Sequence, residues 1–190
     1  FAEKVFDRTG RIDLLVNNAG VIRDNPLTAL EDEDVRVVLE TNVNGTFNMT
    51  RAVLPYMISK RRGKIVNIAS TASFLPGPFM AVYCATKAYV LSLSEALGEE
   101  LRGSGIAVTA ICPGPTHSEF AAVSGSSTRF DSAGSRVASA QDVTALAWQA
   151  IRRGEKVAVL GRANRLNAWM GRHLPHSLLV PMVRKALEPR

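Results

Sequence analysis

In the stretch Tyr-Cys-Ala-Thr-Lys at 83–87, a phenol precedes an ammonium by four residues. On a helix that spacing puts both side chains on one face. A free tyrosine titrates near pH ~10, too high for acid–base work at neutral pH. A nearby ammonium favours the phenolate and lowers that value, which makes the phenol a workable general acid/base. The same spacing also serves a plain surface contact, so the neighbours decide. Ser70 closes an apolar run 13 residues before Tyr83, within reach of the same cleft, where its hydroxyl can donate to a carbonyl oxygen. Asn42 stands inside a helical pattern, a mildly unfavourable place. It reads either as a buried amide bonded to backbone or as a group that disturbs the helix and holds a water.

These residues need elements to position them. Residues 1–10 read as the end of an amphipathic helix stopped by Gly10. An apolar strand ends in Asn-Asn-Ala-Gly at 17–20. Residues 31–60 read as one long helix, whose acidic opening suits the positive end of its dipole. Residues 63–70 form a second apolar strand and 83–105 a second long helix with a glycine-rich stop. Residues 106–114 form a third strand ending in Pro-Gly. Strands apolar throughout and separated by helices predict an α/β, doubly wound parallel sheet covered on both faces. Such sheets bind ligands beyond the carboxyl ends of their strands, where the clusters Asn17–Gly20, Ala69–Ser70 and Cys112–Ser118 gather. Residues 124–139, rich in Ser and Gly, follow such an end and are expected to form part of a substrate lid over 115–140. Residues 141–153 read as a helix and 156–161 as a last strand.

The remaining composition narrows the class. At 190 residues with 46% apolar content, the chain suits one globular domain. Apolar runs are short and interrupted, so no transmembrane span is expected, and no basic-then-apolar leader opens the sequence. Cys84 and Cys112 lie far apart, without a C-x-x-C pattern, and read as buried thiols of a cytoplasmic protein. His117, His173 and His176 make no convincing metal set. Residues 1–151 hold 14 Lys/Arg against 15 Asp/Glu, whereas 152–190 hold 9 against 2. The basic excess therefore belongs to the tail and not to the folded body, which argues against a nucleic-acid-binding domain. Within 161–190, Leu166, Trp169, Met170 and Leu174 have helical spacing with Arg162, Arg165 and Arg172 between them. That tail reads as a helix packed on the core with a solvated basic face, as an amphipathic helix on an anionic membrane surface, or as a subunit contact.

Five segments, in this order and spacing, resemble the short-chain dehydrogenase/reductase family: Asn17–Gly20, Thr41–Gly45, Ile65–Ser70, Tyr83–Lys87 and Cys112–Ser118. The resemblance runs to about residue 160 and implies a Rossmann-like fold and hydride transfer between NAD(P) and a ketone or alcohol. NADP is expected over NAD. In that family's pattern Tyr83 protonates the carbonyl oxygen and Ser70 orients it. Lys87 lowers the Tyr83 pKa and holds the ribose hydroxyls, and Asn42 anchors a water on the proton path. Asn18, Ala19 and Gly20 line the adenosine side of the cofactor. Pro113, Gly114 and Thr116 pass along the nicotinamide, with Ser118 in place of the family's usual threonine. The family's opening βαβ unit and glycine-rich phosphate turn have no counterpart before residue 17, so the chain is expected to be part of a longer protein. The resemblance implies a small-molecule carbonyl or alcohol substrate, and the loop at 17–25, which resembles that of 3-oxoacyl-carrier-protein reductases, puts acyl or lipid-like ketones among the candidates. Homo-oligomers are the family's habit. The competing expectation is a non-catalytic scaffold that binds a partner or a membrane surface through 162–190.

Overall fold

The computed structural model describes residues 1–120 and 137–188. In chain order it consists of α1 (Ala2–Thr9), β1 (Leu14–Asn17), α2 (Asp32–Leu39), α3 (Thr46–Lys60), β2 (Gly63–Ile68), α4 (Ala81–Glu100), β3 (Ile106–Cys112), β4 (Thr116–His117), β5 (Ala138–Ser139), α5 (Ala140–Arg153), β6 (Val157–Val159), α6 (Arg162–His173) and α7 (His176–Leu187). Four strands form one parallel sheet in the order β1-β2-β3-β6, and β4 and β5 form a separate parallel pair. The expected α/β architecture is therefore present, and the strands fall where apolar runs predicted them. Of the expected lid over 115–140, residues 121–136 lie outside the described residues.

Side-chain alternation along the strands divides the core. Ile65 of β2 with Ile106 and Val108 of β3 packs against Val53 and Met57 of α3 and Leu97 of α4. Further along β3, Ala110 and Cys112 meet Val90 and Leu91 of α4 and Ala168 of α6. On the opposite face Val66 and Ile111 pack against Ala150 and Ile151 of α5. Each such aliphatic side chain contributes roughly 1.5–3 kcal/mol when fully buried. Helices thus cover both faces, as a parallel sheet requires. Leu14 and Val16 of the edge strand β1 stay 43% and 47% exposed. Cys84 and Cys112 are unpaired and buried, and burial pushes their thiols up to about 11 and about 12.

The helix expected over 31–60 is not uniform. Asp32, Glu33 and Asp34 occupy the first turn of α2, where they favour the dipole. Residues Glu40–Gly45 then widen into a π turn before α3 resumes. The tail is two helices rather than one, broken at Leu174–Pro175. The inner side of α6 lies on the segment after β2, so close that a Cβ at Gly171 would collide with the Phe74 carbonyl. Leu166 and Trp169, expected on a core-facing stripe, are instead 58% and 54% exposed, while Ala168 and Gly171 are buried. The small residues win the inner face because the helix approaches backbone there.

Gly105 opens β3 with φ of 85°, and a Cβ there would run into the Arg61 carbonyl at the end of α3. Gly154 has a similar φ of 69° with open space around it. Gly105→Ala is expected to cost about 2–4 kcal/mol from the left-handed backbone and the overlap together. Gly154→Ala should cost only about 1 kcal/mol, and urea unfolding of both variants measures the difference.

Candidate active site

Parallel register places the carboxyl ends of β1, β2 and β3 side by side, and the predicted residues follow those ends. Ser70 stands in extended conformation at the head of a short 3-10 turn, Thr71–Phe74. Its Oγ accepts from the Ala72 N–H at 3.1 Å, and its own N–H donates to Ser73 Oγ at 3.3 Å. Ser73 Oγ in turn donates to the Lys87 carbonyl at 2.8 Å, and the Thr71 N–H donates to the Pro113 carbonyl at 2.9 Å. Ser70 is thereby tied both to the helix that carries Tyr83 and to the Pro-Gly segment after β3.

Tyr83 and Lys87 lie on one face of α4, both buried, with Lys87 Nζ 5.8 Å from the Tyr83 ring centroid. Nζ donates to the Ile68 carbonyl at 2.8 Å. An ammonium has three donors, and the other two find no acceptor among the described residues. Burial pushes Lys87 down to about 8. Burial also pushes Tyr83 up to about 12, against which a hydrogen bond with the Ser70 side chain acts in the lowering direction. The expected lowering of Tyr83 by Lys87 is not what sets its value in this structure: desolvation dominates, and Ser70 supplies the opposing pull. The physical reason is that the same dry setting that raises the phenol weakens the charge on its neighbour.

Asn42 is fully buried in the π turn. Its Oδ1 accepts from the Val21 N–H at 2.9 Å, and its Nδ2 donates to the Val21 carbonyl at 2.9 Å and to Thr86 Oγ1 at 3.0 Å. The amide is bonded to backbone, as the first reading has it, and the helix around it widens into the π turn. By gripping both backbone groups of Val21, it fixes the loop above it. A Cβ at Gly20 would sit 3.3 Å from Lys87 Nζ and 3.5 Å from Asn42 Oδ1, so Gly20 lies directly over the two polar groups.

Asn18 and Ala19 are exposed at the rim after β1, and Pro113 and Gly114 are half-buried after β3. Thr116 Oγ1 donates to the Gly114 carbonyl at 2.9 Å. Ser118 stands exposed just past β4. Several contributors escaped the sequence reading. Ser73 completes the capping of Ser70, and a serine three residues after a serine was a usable signal. Thr86, inside the Tyr-Cys-Ala-Thr-Lys stretch, receives Asn42 and donates to the Tyr83 carbonyl at 2.8 Å. Phe120 lies with its ring 6.2 Å from that of Tyr83, and Leu187 of α7 packs on the cluster of Ile22, Met80, Tyr83 and Cys84. Nothing local in the sequence signals that last contact, because it joins residues a hundred positions apart.

The site fits the cofactor portion that the family pattern assigns to it. Two free ammonium donors on Lys87 suit a vicinal diol, and the missing side chain at Gly20 leaves room above them.

A family model described as short chain dehydrogenase matches residues 1–129. The 3-oxoacyl-acyl-carrier-protein reductase of Thermotoga maritima is 44% identical over 112 residues, which are 59% of this chain and 46% of that protein. The corresponding reductase of Haemophilus influenzae is 38% identical over the same shares. The chain thus spans about half the length of the curated relatives it matches. Among solved structures, a short-chain dehydrogenase from Sphingobium yanoikuyae in complex with NADPH superposes with a TM-score of 0.76 at 30% identity, over 90% of this chain and 66% of that one. A short chain dehydrogenase from Burkholderia cenocepacia in complex with NADP gives 0.79 at 26% identity, over 99% of this chain and 76% of that one.

The Lys87 shift has a stability consequence with a definite sign. An unfolded lysine keeps its proton to about 10.5, the folded one only to about 8. Stability on account of this group therefore rises between those values and is lost as pH falls through 8. Lys87→Met is expected to stabilise the protein at pH 7 by about 1–3 kcal/mol, a gain that shrinks towards pH 10.5. Urea titrations at pH 7 and pH 10 test this, and an equal gain at both would refute it.

Proposed function

The chain belongs to the short-chain dehydrogenase family, and from that premise we propose that it is the catalytic portion of an NADP-dependent reductase acting on an apolar ketone. The observation that carries the reading is the meeting of Ser70, Tyr83 and Lys87, three side chains from two elements, at the strand ends: Lys87 Nζ is 5.8 Å from the Tyr83 ring and bonds the Ile68 carbonyl, and the Ser70 side chain acts on the phenol. Both reductase relatives named above act, by name, on 3-oxoacyl groups. The Phe120 ring near Tyr83 and Leu187 packed on the apolar cluster that includes Tyr83 support an acyl or similar apolar substituent for this chain as well.

Each residue then has a task. Ser70 donates to the substrate oxygen and holds it against Tyr83. Tyr83, kept protonated by burial, delivers its proton to that oxygen as negative charge develops there. Lys87 holds the ribose hydroxyls with its two unspent donors. Its value near 8 lets it pass a proton at ordinary pH. Asn42 fixes the Gly20 loop through Val21 and, through the remaining lone pair of Oδ1, anchors the water that returns a proton towards Lys87. Asn18, Ala19 and Gly20 line the adenosine side, and Pro113, Gly114 and Thr116 the nicotinamide side, with Ser118 at the outer rim. NADPH, when bound, supplies the hydride. Tyr83→Phe removes one hydroxyl and is expected to lower kcat by about 10²–10⁴-fold while NADPH binding persists. Steady-state assay of a 3-oxoacyl thioester with a parallel NADPH titration tests this, and a retained rate would remove Tyr83 from the reaction.

A second reading concerns the tail and does not compete with the first. From Arg162 to Leu187 the chain holds five Lys/Arg and no Asp or Glu, and Leu166, Trp169, Leu178 and Met182 are 54–61% exposed. Arg172 is paired with Glu95 across the fold, but apolar residues beside the cationic excess of this segment suit an anionic membrane surface. Vesicles with a third phosphatidylglycerol are expected to sediment the protein at low salt and release it at high salt. Leu166→Glu with Trp169→Glu should abolish the binding, and equal sedimentation with neutral vesicles would count against this reading.

A further inference from the structure

The Pro113–Gly114 segment is fixed on several sides. The Pro113 carbonyl accepts from the Thr71 N–H at 2.9 Å, the Cys112 carbonyl accepts from the Leu160 N–H at 3.2 Å, and the Pro115 carbonyl accepts from the Ala138 N–H at 3.2 Å. One further contact comes from the first turn of α6. A Cβ at Gly114 would overlap the Asn164 amide nitrogen, and would lie 2.5 Å from Oδ1 and 2.7 Å from Cγ. All three of its nearest atoms belong to Asn164, so the flat amide lies directly against the glycine Cα. Gly114 is not in the left-handed region; the absence of a side chain answers to space, not to backbone angle.

Asn164 is itself held. Its Nδ2 donates to the Leu160 carbonyl at 2.7 Å, at the end of β6, and the Gly161 carbonyl accepts from the Arg165 N–H at 3.0 Å. Arg165 Nε donates to the Val159 carbonyl at 3.1 Å. The start of α6 is thus bound to the end of β6, which pairs with the end of β3. The amide is a wedge between two strand ends, with one side bonded to β6 and its plane on Gly114.

We infer that Asn164 is a positioning residue that sets how far the Pro113–Gly114 backbone stands from the cofactor cleft, and thereby tunes cofactor affinity from the tail. The inference rests on the proposal that 113–116 pass along the nicotinamide. It makes the glycine at 114 a requirement imposed by α6: the methyl of an alanine there would point at Asn164, and either the amide gives up its bond to the Leu160 carbonyl or the 113–114 backbone shifts. Relieving the wedge should therefore relieve the requirement.

A double-mutant cycle on the protein carrying this chain tests it, with Gly114→Ala and Asn164→Ala read by melting temperature without ligand and by NADPH affinity from fluorescence titration. Gly114→Ala alone is expected to weaken NADPH on the order of tenfold or more, and in the Asn164→Ala background by only a few-fold. Asn164→Ala alone should weaken NADPH several-fold with its melting temperature within about 4 °C of the parent. Gly114→Ala effects on melting that are equal in both backgrounds would refute the contact. Coupled melting with unchanged NADPH affinity in Asn164→Ala would refute the positioning role. A folded parent that binds no NADPH would instead sink the proposed function, and this inference with it.

Discussion

One buried amide holds the candidate site together. Asn42 bonds both backbone groups of Val21 and the hydroxyl of Thr86, so the loop after β1, the helix crossing behind it and the helix bearing Tyr83 and Lys87 meet at a single side chain. Leaving any of those groups unpaired in the interior would cost roughly 1–3 kcal/mol each. The geometry is reached by distorting the helix. The π turn at Glu40–Gly45 shifts the residues that follow, a device that recurs at functional positions in helices. Thr46 Oγ1 then donates to the Asn42 carbonyl at 2.9 Å and takes up a group that the widened turn presents. Gly20 over Lys87 and Asn42 is the downstream result: the loop is pinned one residue later, so its backbone must pass within contact of both.

Beneath this lies a second polar chain. Asn17 Nδ2 donates to Asn67 Oδ1 at 2.8 Å and to Thr50 Oγ1 at 3.0 Å, and Asn67 Nδ2 donates to Ser94 Oγ at 2.8 Å. It runs from β1 through β2 to α4 on the face that α3 and α4 cover. Hydrophobic packing alone tolerates small slips of helix against sheet, whereas such a chain is satisfied in one arrangement only and is strengthened by its dry surroundings. It fixes where α4 sits relative to the strand ends, and hence where Tyr83 stands relative to Ser70. The two networks act in series, the deeper one placing the helix and the upper one placing the loop.

Much of this was legible in the residues. Apolar strands bounded by Asn-Asn-Ala-Gly, Ser and Pro-Gly announced a parallel sheet with its active edge at the carboxyl ends, because burial on both faces leaves few other patterns. The Tyr83–Lys87 spacing needed only helix periodicity. What the sequence withheld is what depends on chain segments meeting across the fold. Helical spacing marked Leu166 and Trp169 as part of an apolar stripe that one reading packed on the core, yet Ala168 and Gly171 occupy the inward face of α6, since the partner there is the Phe74 backbone. Leu187 on the cluster that includes Tyr83 and Asn164 against Gly114 are contacts of the same kind: each residue is ordinary where it stands, and its meaning comes from what folds onto it.

The electrostatics were also only half visible. A phenol beside an ammonium suggests mutual stabilisation of charge, but burial acts on both partners in opposite senses, raising Tyr83 to about 12 and lowering Lys87 to about 8. Both shifts favour the neutral pair over phenolate and ammonium. The proposed reaction depends on this state. A reduction needs its acid to keep the proton until the oxygen takes on charge, and a buried phenol does so across the neutral range. An oxidation needs the same group as a base, and the deprotonated form is scarce until the pH climbs well above neutral. Burial thus keeps the phenol protonated across the neutral range in this structure. The Ser70 hydrogen bond is the contact on the phenol oxygen that works against burial.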